Sequence, residues 1–96
     1  MKPSKLKSQR SKLEIHLDIL KALATTAPLM LTQIEDQVKL NRSSLREKLG
    51  FLIKQEVVEQ QTIEKTNIVF AITERGIAVL KYFKQYPQKT HVLEEI

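Results

Sequence analysis

Residues 32–73 read TQIEDQVKLNRSSLREKLGFLIKQEVVEQQTIEKTNIVFAIT, and the apolar period changes once along them. Thr32-Gln33-Ile34-Glu35 matches a capping box, in which side chains three residues apart each satisfy the other's free backbone amide. A helix is expected from there, with Ile34 and Val38 turned inward and Leu40 closing a short turn. Asn41 then caps a following helix, whose first turn holds Arg42, Ser43 and Ser44. Leu45, Leu49, Leu52 and Ile53 fall at i, i+4, i+7 and i+8 and form one apolar face. The opposite face carries Ser43, Glu47, Gly50 and Lys54, with Arg46 on its flank. After Gln55 the pattern alternates. Val57 and Val58 begin a strand that runs towards Ile63, Glu64-Lys65-Thr66-Asn67 supplies a turn, and Ile68, Phe70 and Ile72 line one face of the returning strand.

Working outwards, Ser11 and Glu14 form a second capping box ahead of Leu13, Leu17, Leu20 and Ala24, the core stripe of a first helix. Ile15, Ile19 and Leu23 widen that stripe, and Pro28 marks the exit, since the residue before a proline avoids the helical region. Thr73 ends the hairpin and caps a last helix, with Glu74 at its positive end. Ile77 and Leu80 are expected to face inward there with Phe83 or the stem of Lys84, while Val79, Tyr82, Phe83 and Tyr86 form a second stripe. A terminal helix with two apolar faces has one more than a monomer needs, so this second stripe is assigned to a homodimer interface. Pro87 stops the helix.

Capped helix, turn, capped helix and hairpin make the ground plan of a winged helix-turn-helix. The fold class is therefore α+β and mainly helical, with a three-helix core, a two-stranded wing and a C-terminal dimerisation helix. The expected divisions are a flexible basic arm over residues 1–10, the winged domain over 11–86 and a short tail over 87–96. Gly50 costs its helix about 1 kcal/mol relative to alanine. It reads as the close approach of a phosphate backbone or, the plainer reading, as a tolerated surface or packing position.

With 96 residues the chain holds one modest core. It has no cysteine, which excludes disulfides and thiol chemistry, and its two histidines, His16 and His91, lie far apart in sequence. No cofactor or metal site is expected. No apolar run reaches the roughly 20 residues that span a bilayer, so the chain is expected in the cytoplasm and not at a membrane. The net charge is +5, and Lys2, Lys5, Lys7, Arg10 and Lys12 account for the excess. A second basic run, Lys39, Arg42, Arg46, Lys48 and Lys54, is opposed only by Glu47. A basic arm beside a basic helix suits a polyanion.

Three motifs carry a resemblance: Arg10-Ser11-Lys12-Leu13-Glu14-Ile15, the helix from Ser44-Leu45 to Ile53, and Ile72-Thr73-Glu74-Arg75-Gly76. In this order and spacing they look like those of the archaeal winged-helix DNA-binding proteins, over roughly Arg10 to Phe83. The resemblance implies a small dimer that binds duplex DNA, joined through its C-terminal helix, with a transcriptional or chromatin role. Some of those proteins carry a long last helix, from which Pro87 makes this chain depart.

The leading expectation is thus a dimeric protein that binds double-stranded DNA, either a transcriptional regulator or a nucleoid-associated protein, with helix 42–54 in the major groove. Arg46 is the candidate for guanine, Ser43 and Ser44 for phosphates, and Glu47 for a cytosine amino group or for orienting Arg46. Arg42, Lys48, Lys54 and the arm residues Lys2, Lys5, Lys7 and Arg10 would add affinity of a sequence-independent kind. Lys65 and Asn67 at the wing tip are weak contributors. The alternative is a winged helix serving as a protein-interaction module in a transcription or membrane-remodelling complex, whose outer helix face would be apolar or acidic. No nucleophile–base pair or glycine-rich phosphate loop supports an enzyme.

Overall fold

The first helix, α1, runs Lys12–Thr26 and opens on a full capping box: the Ser11 hydroxyl accepts from Glu14 N–H, and the Glu14 carboxylate accepts from Ser11 N–H, each at 3.0 Å. The computed structural model describes residues 11–85. Along the rest of it lie β1 Leu29–Met30, α2 Leu31–Val38, α3 Arg42–Lys54, β2 Val58–Ile63, β3 Asn67–Ile72 and α4 Glu74–Gln85. The sheet is antiparallel, in the order β1-β3-β2. Leu17, Ile19, Leu20 and Leu23 of α1 are buried at the centre of the core, whereas Ala24, expected in that stripe, is exposed.

Two corrections concern the chain between α1 and α2. The wing hairpin is not alone, because Leu29 and Met30 pair with Phe70 and Val69 and make a third strand. Two residues carry no readable alternation, which is why the strand is invisible in sequence. Helix α2 also opens two residues earlier than the Thr32 box implies, with Met30 as its N-cap. Met30 leaves the strand directly into the helix, and its N–H donates to Gln33 Oε1 at 2.8 Å. Glu35, the far member of the expected box, is engaged by Arg42 instead.

Asn41 caps α3 through Oδ1, which accepts from Ser44 N–H at 2.8 Å. Leu45, Leu49 and Leu52 are buried and Ile53 is half-buried, so the apolar face lies where its spacing put it. The helix ends in a paired closure. Val57 N–H donates to the Leu52 carbonyl and Glu56 N–H to that of Ile53, with Glu56 at φ 64°, a position that glycine usually fills. The hairpin then turns through Glu64 and Lys65, both at positive φ, as a tight connection between twisted strands requires.

Thr73 joins the two ends of the wing. Its N–H donates to the Val57 carbonyl at 3.1 Å, its hydroxyl donates to the Glu56 carbonyl at 2.8 Å, and the same oxygen accepts from Gly76 N–H at 3.1 Å. That seats the first turn of α4 directly on Val57. The inward face of α4 differs from its expected stripe: Gly76 is buried and Val79, Leu80 and Phe83 pack partly buried against the core, while Ile77 is 39% exposed. The close seat at Gly76 rotates the helix so that positions 76, 79, 80 and 83 meet the core.

On β3, Phe70 is buried and Ile72 half-buried, but Ile68 on the same face is 45% exposed, because the hairpin extends past the core. Val69, on the opposite face of this central strand, is buried as well.

Candidate nucleic-acid interface

Capping by Asn41 and burial of Leu45, Leu49 and Leu52 fix the rotation of α3, and with it which residues face outward. Ser43, Glu47, Gly50 and Lys54 are all exposed, on one face of the helix. Gly50 has no heavy atom within 4 Å of the place a Cβ would occupy, so it is a surface glycine and not a packing contact with α1. Arg46 is exposed on the flank towards the wing, where it lines an open groove with Gly50, Ile53, Ile68 and Phe70. Lys65 and Asn67 are exposed at the tip of the hairpin.

The remaining sequence-derived candidates are placed differently. The Arg42 guanidinium is held by Glu35 across the turn, with Nε donating to Oε2 at 2.8 Å and a second nitrogen to Oε1 at 3.3 Å. This hydrogen bond holds the Glu35 carboxyl below the usual range, against the opposite effect of its partial burial, with further attraction from the charges of Arg42 and Arg46. It also raises the Arg42 guanidinium. A pair this open to solvent contributes little to stability but does fix where the guanidinium sits. Ser44 is half-buried in the capped first turn. Lys48 is half-buried on the flank towards α1, away from Arg46. Of the residues assigned to dimerisation, Val79 and Phe83 lie partly buried on the core of their own chain, and Tyr82 is 44% exposed, edge-to-face with Phe83 at 5.2 Å. Lys2, Lys5, Lys7, Arg10 and Tyr86 lie outside the described residues, as does the tail.

Sequence reading missed the contact on the far flank of α3. The His16 ring of α1 stacks on Phe51 with centroids 4.7 Å apart and planes 19° from parallel. Its Nε2 is buried without a hydrogen-bond partner. Burial, then the charges of Lys48 and Lys12, push the imidazole below the ordinary histidine range. The folded chain therefore binds fewer protons here than the unfolded chain once pH falls below about 6.5. Stability from this contact is complete above that pH and is lost as pH falls towards the depressed value. We expect the urea midpoint of the native chain to drop between about pH 7 and pH 5, and the drop to be smaller in His16→Phe, which keeps the stack without the titration. Equal slopes in the two proteins would remove His16 as the cause.

Among the described residues no group of acidic and histidine side chains is placed to hold a metal ion, and no helix is long and apolar enough to cross a membrane.

Residues 9–91 match a family described as winged helix-turn-helix. A comparison with curated proteins found no match. Among solved structures the chain is similar to the PcaV transcriptional regulator of Streptomyces coelicolor in complex with its natural ligand (16% identity, TM-score 0.72, 81% of this chain and 57% of that one). It is similar also to Bordetella bronchiseptica BpsR, whose DNA binding is regulated by 6-hydroxynicotinic acid (12%, TM-score 0.71, 78% and 58%). A third is the oxidised form of MarR from E. coli (16%, TM-score 0.69, 79% and 56%). At these identities the likeness is one of fold, and the chain spans little more than half the length of each of these proteins.

Proposed function

The chain belongs to the winged helix-turn-helix family, and from that premise we propose that it is a homodimeric regulator that binds duplex DNA with α3 in the major groove. The observation that carries this reading is the outer face of α3: Ser43, Glu47, Gly50 and Lys54 exposed together, Arg46 beside them, and the hairpin adjacent. Arg46 is the reader, because its two donors match the two acceptors that guanine displays in the major groove. Ser43 and Lys54 hold phosphates, and Glu47 accepts from a cytosine amino group or orients Arg46. Arg42 is a weaker candidate for phosphate than its position in sequence suggests, since Glu35 already occupies it. Lys48, Lys65, Asn67, Ser44 and the arm residues Lys2, Lys5, Lys7 and Arg10 supply the sequence-independent share.

One free arginine beside an acidic residue suits site-specific reading better than coating of the chromosome, so a regulator is favoured over a nucleoid-associated protein. A protein-interaction module would present an apolar or acidic outer face on α3, whereas here that face carries Ser43, Glu47, Gly50 and Lys54. Work at duplex DNA places the protein at the nucleoid. The likeness to archaeal winged-helix proteins rests on the three sequence motifs and extends the family assignment by proposal only.

The test is titration of a mixed-sequence duplex with the full chain at several salt concentrations. Binding should weaken with salt, with a slope of about −0.9 in log K against log salt for each phosphate contacted. Absence of binding at low salt would refute the reading. For the dimer, Tyr82 is the exposed aromatic residue of α4 and the anchor of the proposed interface, with Val79 and Phe83 beside it and Tyr86 following in sequence. Tyr82→Glu should sediment as a folded monomer at concentrations where the native chain is dimeric. A native monomer, or a variant that stays paired, would discard α4 as the seam.

A further inference from the structure

We infer that the wing-facing flank of α3 reads a thymine C5-methyl group next to the base pair that Arg46 contacts. This rests on the DNA-binding reading above and adds the base to be recognised. The groove between α3 and the hairpin has a volume of about 520 Å³, and among the described residues Arg46 is the only charged one lining it. Its walls are otherwise more apolar than polar: Leu31 from α2, Ile53 from α3, and Ile68 and Phe70 from β3, against Gln60 and Thr66 of the hairpin. Ile68 is 45% exposed, an apolar side chain held open beside a polar helix face.

A groove meant only to hold a phosphate chain would gain nothing from carbon walls and would be lined by lysine and arginine. Duplex DNA offers one apolar group in the major groove, the C5-methyl of thymine. It lies towards the sugar–phosphate backbone of its own strand, on the side of the groove that a helix flank meets. With Arg46 and Glu47 at the base edges and Ser43 and Lys54 on phosphates towards the two ends of the helix, the wing-facing flank beside Arg46 runs alongside one strand. Gly50 stands at that rim with open space where a side chain would be, so a base edge can approach the helix backbone there. Arg46, Ile53 and Ile68 on one groove therefore suit a guanine followed or preceded by a thymine, the arginine meeting the acceptors and the isoleucines the methyl.

The test uses the full chain and the duplex it enriches from a random-sequence pool. Each thymine in turn is replaced by uracil, which deletes the methyl and leaves the pairing edge and the major-groove oxygen in place. One position per half-site, next to the guanine at which Arg46→Ala relaxes preference, should lose about fourfold in affinity, the worth of one buried methyl. Ile68→Ala, at a position already open to solvent, should show a smaller uracil penalty than the native chain, since Ile53 alone then meets the methyl. The inference is overturned if no uracil weakens binding, if the uracil penalty persists undiminished in Ile68→Ala, or if the pool is bound without sequence preference. A chain that binds its selected duplex but ignores uracil loses this inference alone. A chain that retains no duplex at all loses the DNA-binding reading and this inference together.

Discussion

Arg46→Ala should bind its specific duplex about 1–3 kcal/mol more weakly than the native chain and lose preference at one base position in each half-site. The size follows from what arginine does in a major groove: two donors meet guanine's two acceptors, and a wrong base leaves them unpaired. The residue suits the task in place as well as in type. It is exposed, lies on α3 one turn below the capped end, and is not tied up as Arg42 is by Glu35. Lys54→Ala, near the other end of the same helix, should weaken all sequences about equally, as loss of a phosphate contact does. The two variants separate reading from holding, provided circular dichroism shows both folded. Equal binding of specific and random duplexes by Arg46→Ala and the native chain would move the protein-interaction reading into first place.

Gly76→Ala should be the most damaging single-methyl change in the described fold, with a loss of about 1–3 kcal/mol or more from overpacking. A Cβ at this position would run into the Val57 carbonyl oxygen and lie 2.6 Å from Ile72 Cγ1. Backbone cannot step aside as a flexible side chain can, and the Val57 carbonyl is also fixed by the Thr73 N–H. Relief would require lifting the first turn of α4, which would break the hydrogen bond from Gly76 N–H to the Thr73 hydroxyl. Gly50→Ala makes the contrast, since nothing stands near its missing Cβ and alanine is favoured in a helix by about 1 kcal/mol. Urea unfolding of the two variants should therefore shift in opposite directions. A Gly76→Ala protein as stable as the native chain would mean that α4 does not sit as closely on the hairpin as described.

The contrast between these glycines shows what the sequence could and could not disclose. Ser11 with Glu14, and Asn41 with Ser44, act within one turn, so the residues that define those helix starts are adjacent in the chain and legible in it. The face of α3 was legible for the same reason: Leu45, Leu49 and Leu52 impose the rotation that leaves Ser43, Glu47 and Lys54 outside. What escaped depends on pairs distant in sequence. Thr32 has a plausible box of its own, and only the pairing of Met30 with Val69 shows why the helix starts earlier. Gly76 carries no local signal of its contact with Val57, and the tilt of α4 that follows exchanges Ile77 for Val79 on the core. The Glu35–Arg42 tie is legible in principle, because opposite charges flank a short turn, but Glu35 also fits the Thr32 box and Arg42 the basic helix that follows.

The groove beside Arg46 belongs to the same class. Ile53 was read as core and Ile68 as the inward face of a strand, both from period alone. Their meeting at a solvent-open edge depends on how far the hairpin projects beyond the core, which no period encodes.

Selection of bound duplexes from a fully random pool, with the full chain at physiological salt, bears most directly on the claim that α3 reads DNA as part of a dimer. A two-fold symmetric site should emerge, its half-sites about 10–10.5 base pairs or a multiple of that apart, each with a guanine whose enrichment disappears in Arg46→Ala. A pool that emerges unenriched from a folded chain, or a symmetric site that Arg46→Ala selects unchanged, would contradict it.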